Sequence, residues 1–232
     1  MLEEVKQRVW KANLDLVAQG LVTLTWGNAS ERAPGGKLFV IKPSGVSYGD
    51  MKPEQMVVVD LDGKVVEGEL NPSSDTETHR ILYREFPEIG GIVHTHSPWA
   101  TAFAQARMEI PCLGTTHADH FFGPVPVTRP LSREELDAGY ELNTGRVIVE
   151  RFRGRLSTAE MPAVLVAGHA PFTWGKDAAE SVKNAVALEA VAKMAHATLM
   201  LRREPIPFLE EYVLEKHYQR KHGPGAYYGQ KK

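Results

Sequence analysis

The 232-residue sequence has one cysteine, no long apolar run and little net charge, and each shortage excludes a class of protein. Cys112 has no partner for an intrachain disulfide, which fits a reducing compartment and disfavours a thiolate-bound structural zinc site. No stretch reaches the roughly 18 consecutive apolar residues that a membrane helix needs. The N-terminal segment is interrupted by charges, so we expect no signal peptide and a cytoplasmic location.

A net charge of −2, with 24% charged residues, gives no basic surplus for nucleic acid and no acidic tail. We therefore expect a small-molecule partner, with no nucleic-acid or membrane partner. Neither an internal repeat nor a low-complexity linker divides the chain. Residues 1–232 are accordingly predicted to form a single domain.

Local patterns predict short strands that are joined by turns and interrupted by helices. Helices are predicted over 1–19, 71–86, 97–107 and 177–203 and in the polar tail, and strands over 37–42, 56–60, 64–68 and 91–96 and before His169. The segment 108–161 is Pro- and Gly-rich, and no long element is predicted within it. Hairpin strands interrupted by helices indicate an α/β sandwich with a mixed or antiparallel sheet.

Three histidines fall at the ends of apolar segments. His94 and His96 in "VHTHS" are two residues apart on a strand, so their side chains share a face, and His169 follows a second apolar run. Three neutral imidazoles with an open coordination position would suit a catalytic divalent ion. Two such histidines can equally be half-buried residues bonded to backbone, and Asp75, a possible fourth ligand, could instead serve the helix dipole.

Three donor-rich turns, "WGNAS", "KPSGVSYGD" and "NPSSD", offer backbone amides, hydroxyls and one ammonium group. Together they resemble a cradle for a phosphate, although clusters of Ser, Gly and Asn are most often only turns. The candidate phosphate ligands are Gly27, Asn28, Lys42, Ser44, Gly45, Ser73 and Ser74.

Five motifs, "TWGNAS", "KPSGVSYG", "PSSDTETH", "VHTHS" and "GHAPFTWG", stand in an order that resembles the class II aldolase and adducin family. The resemblance implies a three-layer α/β sandwich with a central, mostly antiparallel sheet flanked by helices. It also implies a divalent cofactor, most often zinc, with manganese or cobalt as alternatives, bound by His94, His96, His169 and Asp75. The turn residues named above would hold the substrate phosphate.

Within the family, the motifs are most similar to those of epimerases that interconvert L-ribulose 5-phosphate and D-xylulose 5-phosphate. The resemblance then implies a homotetramer whose sites lie at subunit interfaces, with Asp119 and Tyr228 lent by a neighbouring subunit as acid and base. Tyr227 could replace its neighbour in this role. His117, His120 and His217 could line the pocket, while His79 and His196 are interpreted as packing or surface residues. Trp26, Trp99 and Trp174 are interpreted as core residues.

Carbon 4 of a 2-ketopentose phosphate is not adjacent to the carbonyl, so its hydrogen is not acidic. No Gly-x-Gly-x-x-Gly follows a strand, which disfavours transient oxidation by a nicotinamide. The remaining route to epimerisation is to break the bond between carbons 3 and 4 and form it again. A fuculose- or rhamnulose-phosphate type aldolase would share every metal ligand but carry glutamate at position 75, and a non-catalytic adducin-like scaffold would have no need of the three histidines.

Overall fold

A computed structural model describes residues 1–201 and 206–227, and its centre is a seven-stranded sheet. Its strands are β1 (Gly27–Arg32), β2 (Leu38–Ile41), β3 (Val57–Asp60), β4 (Val65–Glu67), β5 (Gly91–Thr95), β6 (Ala163–Leu165) and β7 (Pro171–Gly175). They lie in the order β4-β3-β2-β1-β5-β7-β6, and all neighbouring pairs are antiparallel. The predicted sandwich around a mostly antiparallel sheet is confirmed, whereas a single domain over 1–232 stays a prediction.

Seven helices surround the sheet in the described residues, together with a short 3-10 turn at Pro53–Gln55. They are α1 (Leu2–Ala18), α2 (Thr76–Glu85), α3 (Pro98–Ala106), α4 (Thr115–Ala118), α5 (Arg133–Phe152), α6 (Ala178–Leu201) and α7 (Glu211–His222). Asp177 caps α6, since its Oδ1 accepts from the Glu180 amide at 2.8 Å. None of the helices in the described ranges is both long and apolar enough to cross a membrane.

Alternation along the strands sends successive side chains to opposite helical layers. Phe39 and Val57 pack in one core with α2 and α5, whereas Val40 and Val58 pack against α1 on the other face. Burying each side chain of this size stabilises the fold by about 1.5–3 kcal/mol. On β5, Val93 packs with α1 and α6, so the next residue along, His94, faces the α2 side of the sheet.

Helix α5 lies within the segment in which the sequence pattern predicted no long element. Its first turn carries a capping box, in which Ser132 and Glu135 bond each other's backbone amides, so a usable sequence signal was present. Gly139 interrupts the helix with φ 145° and ψ 101°. That break obscured the apolar periodicity and caused the prediction to miss the helix.

Candidate metal centre and substrate pocket

The three histidines meet near the middle of the sheet. His94 lies on β5, which pairs with β1 and β7, and its register partners are Asn28 and Phe172. His96 stands just beyond the end of β5, and His169 lies in the turn between β6 and β7. The structure therefore brings together the three side chains that the sequence predicted as ligands.

Ligand atoms of His94, His96 and His169 all lie within 4.8 Å of one another. The Nε2 atoms of His94 and His96 are 3.2 Å apart, and each pair of the three rings has centroids 4.9 to 5.0 Å apart. Nδ1 of His94 donates to the Pro171 carbonyl at 2.9 Å, which leaves its Nε2 as the lone-pair atom facing the cluster. The cluster thus presents imidazole nitrogens to one small volume.

Burial keeps the rings of His96 and His169 neutral, as metal ligation requires. It lowers the pKa of His96, and it lowers the pKa of His169 to about 4 with the help of the two neighbouring imidazoles. His169 Nδ1 is buried without a hydrogen-bond partner among the described residues. Neutral imidazoles with converging nitrogens and an unsatisfied ring atom fit a divalent cation of the zinc class.

Asp75 lines the same cavity but lies outside the three-histidine cluster in the described residues. It occupies the N-cap position of α2, and its Oδ2 accepts from Asn28 Nδ2 at 2.7 Å. Burial raises the pKa of Asp75, but His94, His79 and the Asn28 hydrogen bond outweigh it, and the net pKa lies below the ordinary value. An ionised carboxylate therefore borders the cluster, available as a further ligand.

A cavity of about 620 Å³ opens beside the histidines. All seven predicted phosphate residues line it, namely Gly27, Asn28, Lys42, Ser44, Gly45, Ser73 and Ser74. Asn28 Nδ2 donates to Ser73 Oγ at 3.0 Å, and the remaining amide oxygen of Asn28 is buried without a partner among described residues. Polar groups that lack partners beside open space are what a polar ligand would satisfy.

Lys42 supplies positive charge to this cavity from a buried position, where backbone carbonyls hold its ammonium group. The side chain is buried, and its Nζ donates to the carbonyls of Pro43 and Val46 at 3.1 and 2.9 Å. Burial lowers the pKa of Lys42. The ammonium group is thus fixed by backbone in the "KPSGV" turn, where it contributes a positive field to the cradle.

Several residues that the sequence pattern did not point to line the cavity. Tyr140 and Glu141 follow the break at Gly139, and the ring centroids of Tyr140 and His169 are 5.8 Å apart. Trp26 was expected in the core, but it is 53% exposed at the cavity. The apolar character of Trp26 gave no sign that it lines a cavity. For Tyr140 and Glu141, the helix-breaking Gly139 before them was a usable signal.

Asp119 lies elsewhere, in a cluster with α7 and outside the residues that line the cavity within the described chain. Arg220 Nη2 donates to Asp119 Oδ2 at 2.6 Å, His217 Nδ1 lies 3.2 Å from Oδ1, and Lys221 adds a second cation. Burial raises the pKa of Asp119, but these partners outweigh it and the net pKa is lowered.

The other predicted pocket residues are distributed around that second cluster. His117 Nε2 donates to the Gly123 carbonyl at 2.8 Å. None of His117, His120 and His217 lines the cavity within the described chain. Tyr227 is exposed, with its ring near the Lys216 ammonium group. Tyr228 lies outside the described residues, so its predicted role stays a prediction.

The sequence profile of the class II aldolase and adducin N-terminal domain matches residues 7–196, most of the chain. The chain belongs to the class II aldolase and adducin family. A curated relative from Salmonella paratyphi C (strain RKS4594), named L-ribulose-5-phosphate 4-epimerase UlaF, is 55% identical over 230 residues, which cover 99% of this chain and 100% of the relative. The same name and identity apply to a relative from Salmonella choleraesuis (strain SC-B67), with the same coverage.

Solved structures of class II aldolases share the architecture. An L-fuculose 1-phosphate aldolase superposes with a TM-score of 0.77 at 27% identity, covering 94% of this chain and 95% of that one. The L-fuculose-1-phosphate aldolase of Thermus thermophilus gives 0.68 at 26% identity, with 87% and 97% coverage. The class II aldolase fold that the motifs implied is confirmed.

Proposed function

We propose that this chain is a metal-dependent epimerase that interconverts L-ribulose 5-phosphate and D-xylulose 5-phosphate. The observation that carries the proposal is the convergence of His94, His96 and His169 beside a cavity that the proposed phosphate residues line. The choice of reaction is supported by curated relatives that bear the epimerase name and align over their full length. Aspartate at position 75, rather than the glutamate of the aldolases, favours the same choice.

The three histidines are the proposed ligands of a divalent cation, with Asp75 as a fourth ligand and zinc as the proposed ion. Such a cation, when bound, supplies Lewis-acid stabilisation for negative charge that develops on the substrate's ketone oxygen. His94 is held by the Pro171 carbonyl, so its Nε2 is oriented before binding. This pre-organisation lowers the entropy cost of assembling the site.

The cradle of turns is proposed to bind the phosphate on carbon 5 of the substrate. Anchoring carbon 5 keeps the two-carbon aldehyde in place after the bond between carbons 3 and 4 breaks, so that re-addition competes with loss of the fragment. The buried ammonium of Lys42 and the Ser and Gly amides match a dianionic group.

Asp119 and Tyr228 are the proposed acid/base pair, supplied by a neighbouring subunit of a homotetramer. One group accepts the proton of the carbon 4 hydroxyl as the C3–C4 bond breaks and its electron pair passes to carbon 3. The aldehyde turns its opposite face, the pair re-forms the bond, and the proton returns. The separation of Asp119 from the cavity within one chain supports a shared site. A cytoplasmic location stays a prediction.

The test is incubation of the purified protein with zinc or manganese and L-ribulose 5-phosphate, followed by NMR of the sugars. We expect an equilibrium mixture with D-xylulose 5-phosphate and no net dihydroxyacetone. A His94→Asn variant serves as the inactive control. Stoichiometric release of dihydroxyacetone and glycolaldehyde phosphate would contradict the epimerase and favour an aldolase.

A further inference from the structure

A buried polar chain runs behind the candidate metal centre, between α2 and β1. Ser30 Oγ lies 2.7 Å from His79 Nδ1 and 2.8 Å from the Tyr83 hydroxyl, and all three side chains are buried. The other ring nitrogen, His79 Nε2, is buried with no partner in the described residues. A fully buried ring atom without a partner calls for an explanation, because such groups are costly.

Counting protons fixes the tautomer of His79. Burial raises the pKa of Tyr83, so its hydroxyl keeps its proton, and Ser30 Oγ is its one acceptor in residues 1–201 and 206–227. Ser30 must then give its own proton to His79 Nδ1. If Nδ1 carried the proton and donated to Ser30 Oγ, the Ser30 hydroxyl would either donate to Tyr83 and leave the Tyr83 donor unpaired, or accept from both neighbours and leave its own proton without an acceptor in the described residues. His79 is therefore neutral with its proton on Nε2.

That Nε2–H group belongs to the surroundings of Asp75. His79 follows Asp75 by one helical turn, with its amide donating to the Asp75 carbonyl at 3.0 Å. The His79 ring meets the edge of Phe172 at a centroid distance of 6.0 Å, and His94 stacks on the same Phe172 at 4.2 Å. Burial lowers the pKa of His79 to about 3, and the Asp75 carboxylate partly opposes that shift.

We propose that His79 is a positioning residue of the metal site, whose Nε2–H donates to the Asp75 carboxylate when the site is loaded. Asn28 holds one oxygen of that carboxylate at 2.7 Å, and His79 would hold the carboxylate from the helix side. Two donors fix the plane of a carboxylate ligand, as outer partners commonly do at metal centres. This inference rests on the metal site of the proposed function.

Zinc affinity of the apo protein, measured by competition with a chromophoric chelator, tests the proposal in His79→Asn and His79→Gln. The asparagine amide can replace Nδ1 toward Ser30 but cannot reach the Nε2 position, whereas the glutamine amide can reach it. We expect His79→Asn to weaken zinc binding about 10- to 100-fold and His79→Gln to weaken it less. His196→Asn, on exposed α6 surface, is the control and should bind as the wild type does.

Folding effects are separated by the thermal midpoint of each apo variant and by NMR on the wild type. With ¹⁵N-labelled histidine, we expect protonated Nε2 and unprotonated Nδ1 at His79, assigned by its loss in His79→Gln, and a shift of the Nε2 signal on adding zinc. A protonated Nδ1, or wild-type zinc affinity in a folded His79→Asn, would overturn the proposal. Zinc binding without epimerase activity would overturn the proposed function alone, whereas a wild type without zinc affinity would overturn both.

Discussion

Gly27 is a cradle residue on β1 that pairs with Thr95 of β5, and replacing it with alanine should be costly for two separable reasons. Its φ is +134°, a region that residues with a Cβ rarely adopt, and the added Cβ would lie 2.8 Å from Val22 Cγ1 and 2.9 Å from the His94 carbonyl oxygen. The backbone strain costs about 1–3 kcal/mol. The overpacking costs another 1–3 kcal/mol or so.

A gain of up to about 1 kcal/mol offsets part of this cost, because alanine restricts the unfolded chain. The expected loss for Gly27→Ala is therefore roughly 1–5 kcal/mol in the free energy of unfolding, with β1 pushed away from β5. Loss of zinc affinity should accompany it, since the Cβ presses on the backbone of His94.

Alanine substitutions at two other glycines separate the cost of backbone strain from the cost of overpacking. Gly20 has φ +68° and nothing within 4 Å of an added Cβ, so Gly20→Ala should show only the strain, about 1 kcal/mol. Gly49 has open space and an ordinary φ, so Gly49→Ala should stay within about 1 kcal/mol of the wild type. Urea unfolding at one fixed protein concentration gives all three values, because assembly would otherwise shift the apparent stability. If Gly27→Ala loses no more than Gly20→Ala, the assigned contact with His94 carries no cost.

Three further predictions concern the candidate site. His96→Asn should lose both bound metal and turnover, whereas Asp119→Asn should keep metal and lose turnover by about two to four decades. Mixed oligomers of the two variants should regain activity, and inactive mixed oligomers would argue against a site shared between subunits. Because the pKa of folded Asp119 lies below the ordinary 3.8, its ionised form adds stability above that pH that is lost as the pH falls through the folded pKa. The free energy of unfolding of Asp119→Asn should therefore depend less on pH below about 4 than that of the wild type. An equal pH dependence of the two proteins in this range would refute the assigned ion pairs. Tyr140→Ala, unlike Tyr140→Phe, should leak glycolaldehyde phosphate during turnover, because the ring closes the cavity beside His169; equal leakage by both would place the role elsewhere.

Sequence pattern alone could predict the sheet and the three histidines, because both depend on local rules. Alternation places His94 on the face of the sheet toward α2, and the strand ends bring His169 to it. The proposed role of His79 could not be predicted in this way, since it depends on Ser30 of β1 meeting His79 and Tyr83 of α2. Trp26 was predicted in the core because apolar size usually means burial, but a ligand cavity also uses exposed aromatic walls.

In the described chain, the proposed metal ligands and the proposed acid/base residue Asp119 lie in two separate places, and this separation bears on assembly. The carboxylates that line the cavity within the described ranges are Asp75 and Glu141, and its one phenol is Tyr140. Asp75 is held by Asn28 and is the proposed fourth metal ligand, so a self-sufficient chain would have to use Glu141 and Tyr140 for proton transfer. Asp119 instead sits among three cationic or ionisable partners on α7 that keep it charged and oriented. The proposed acid/base role of Asp119 therefore requires that the cavity of another chain be brought to it, which is why the complementation between His96 and Asp119 variants decides whether the functional unit is one chain or a pair.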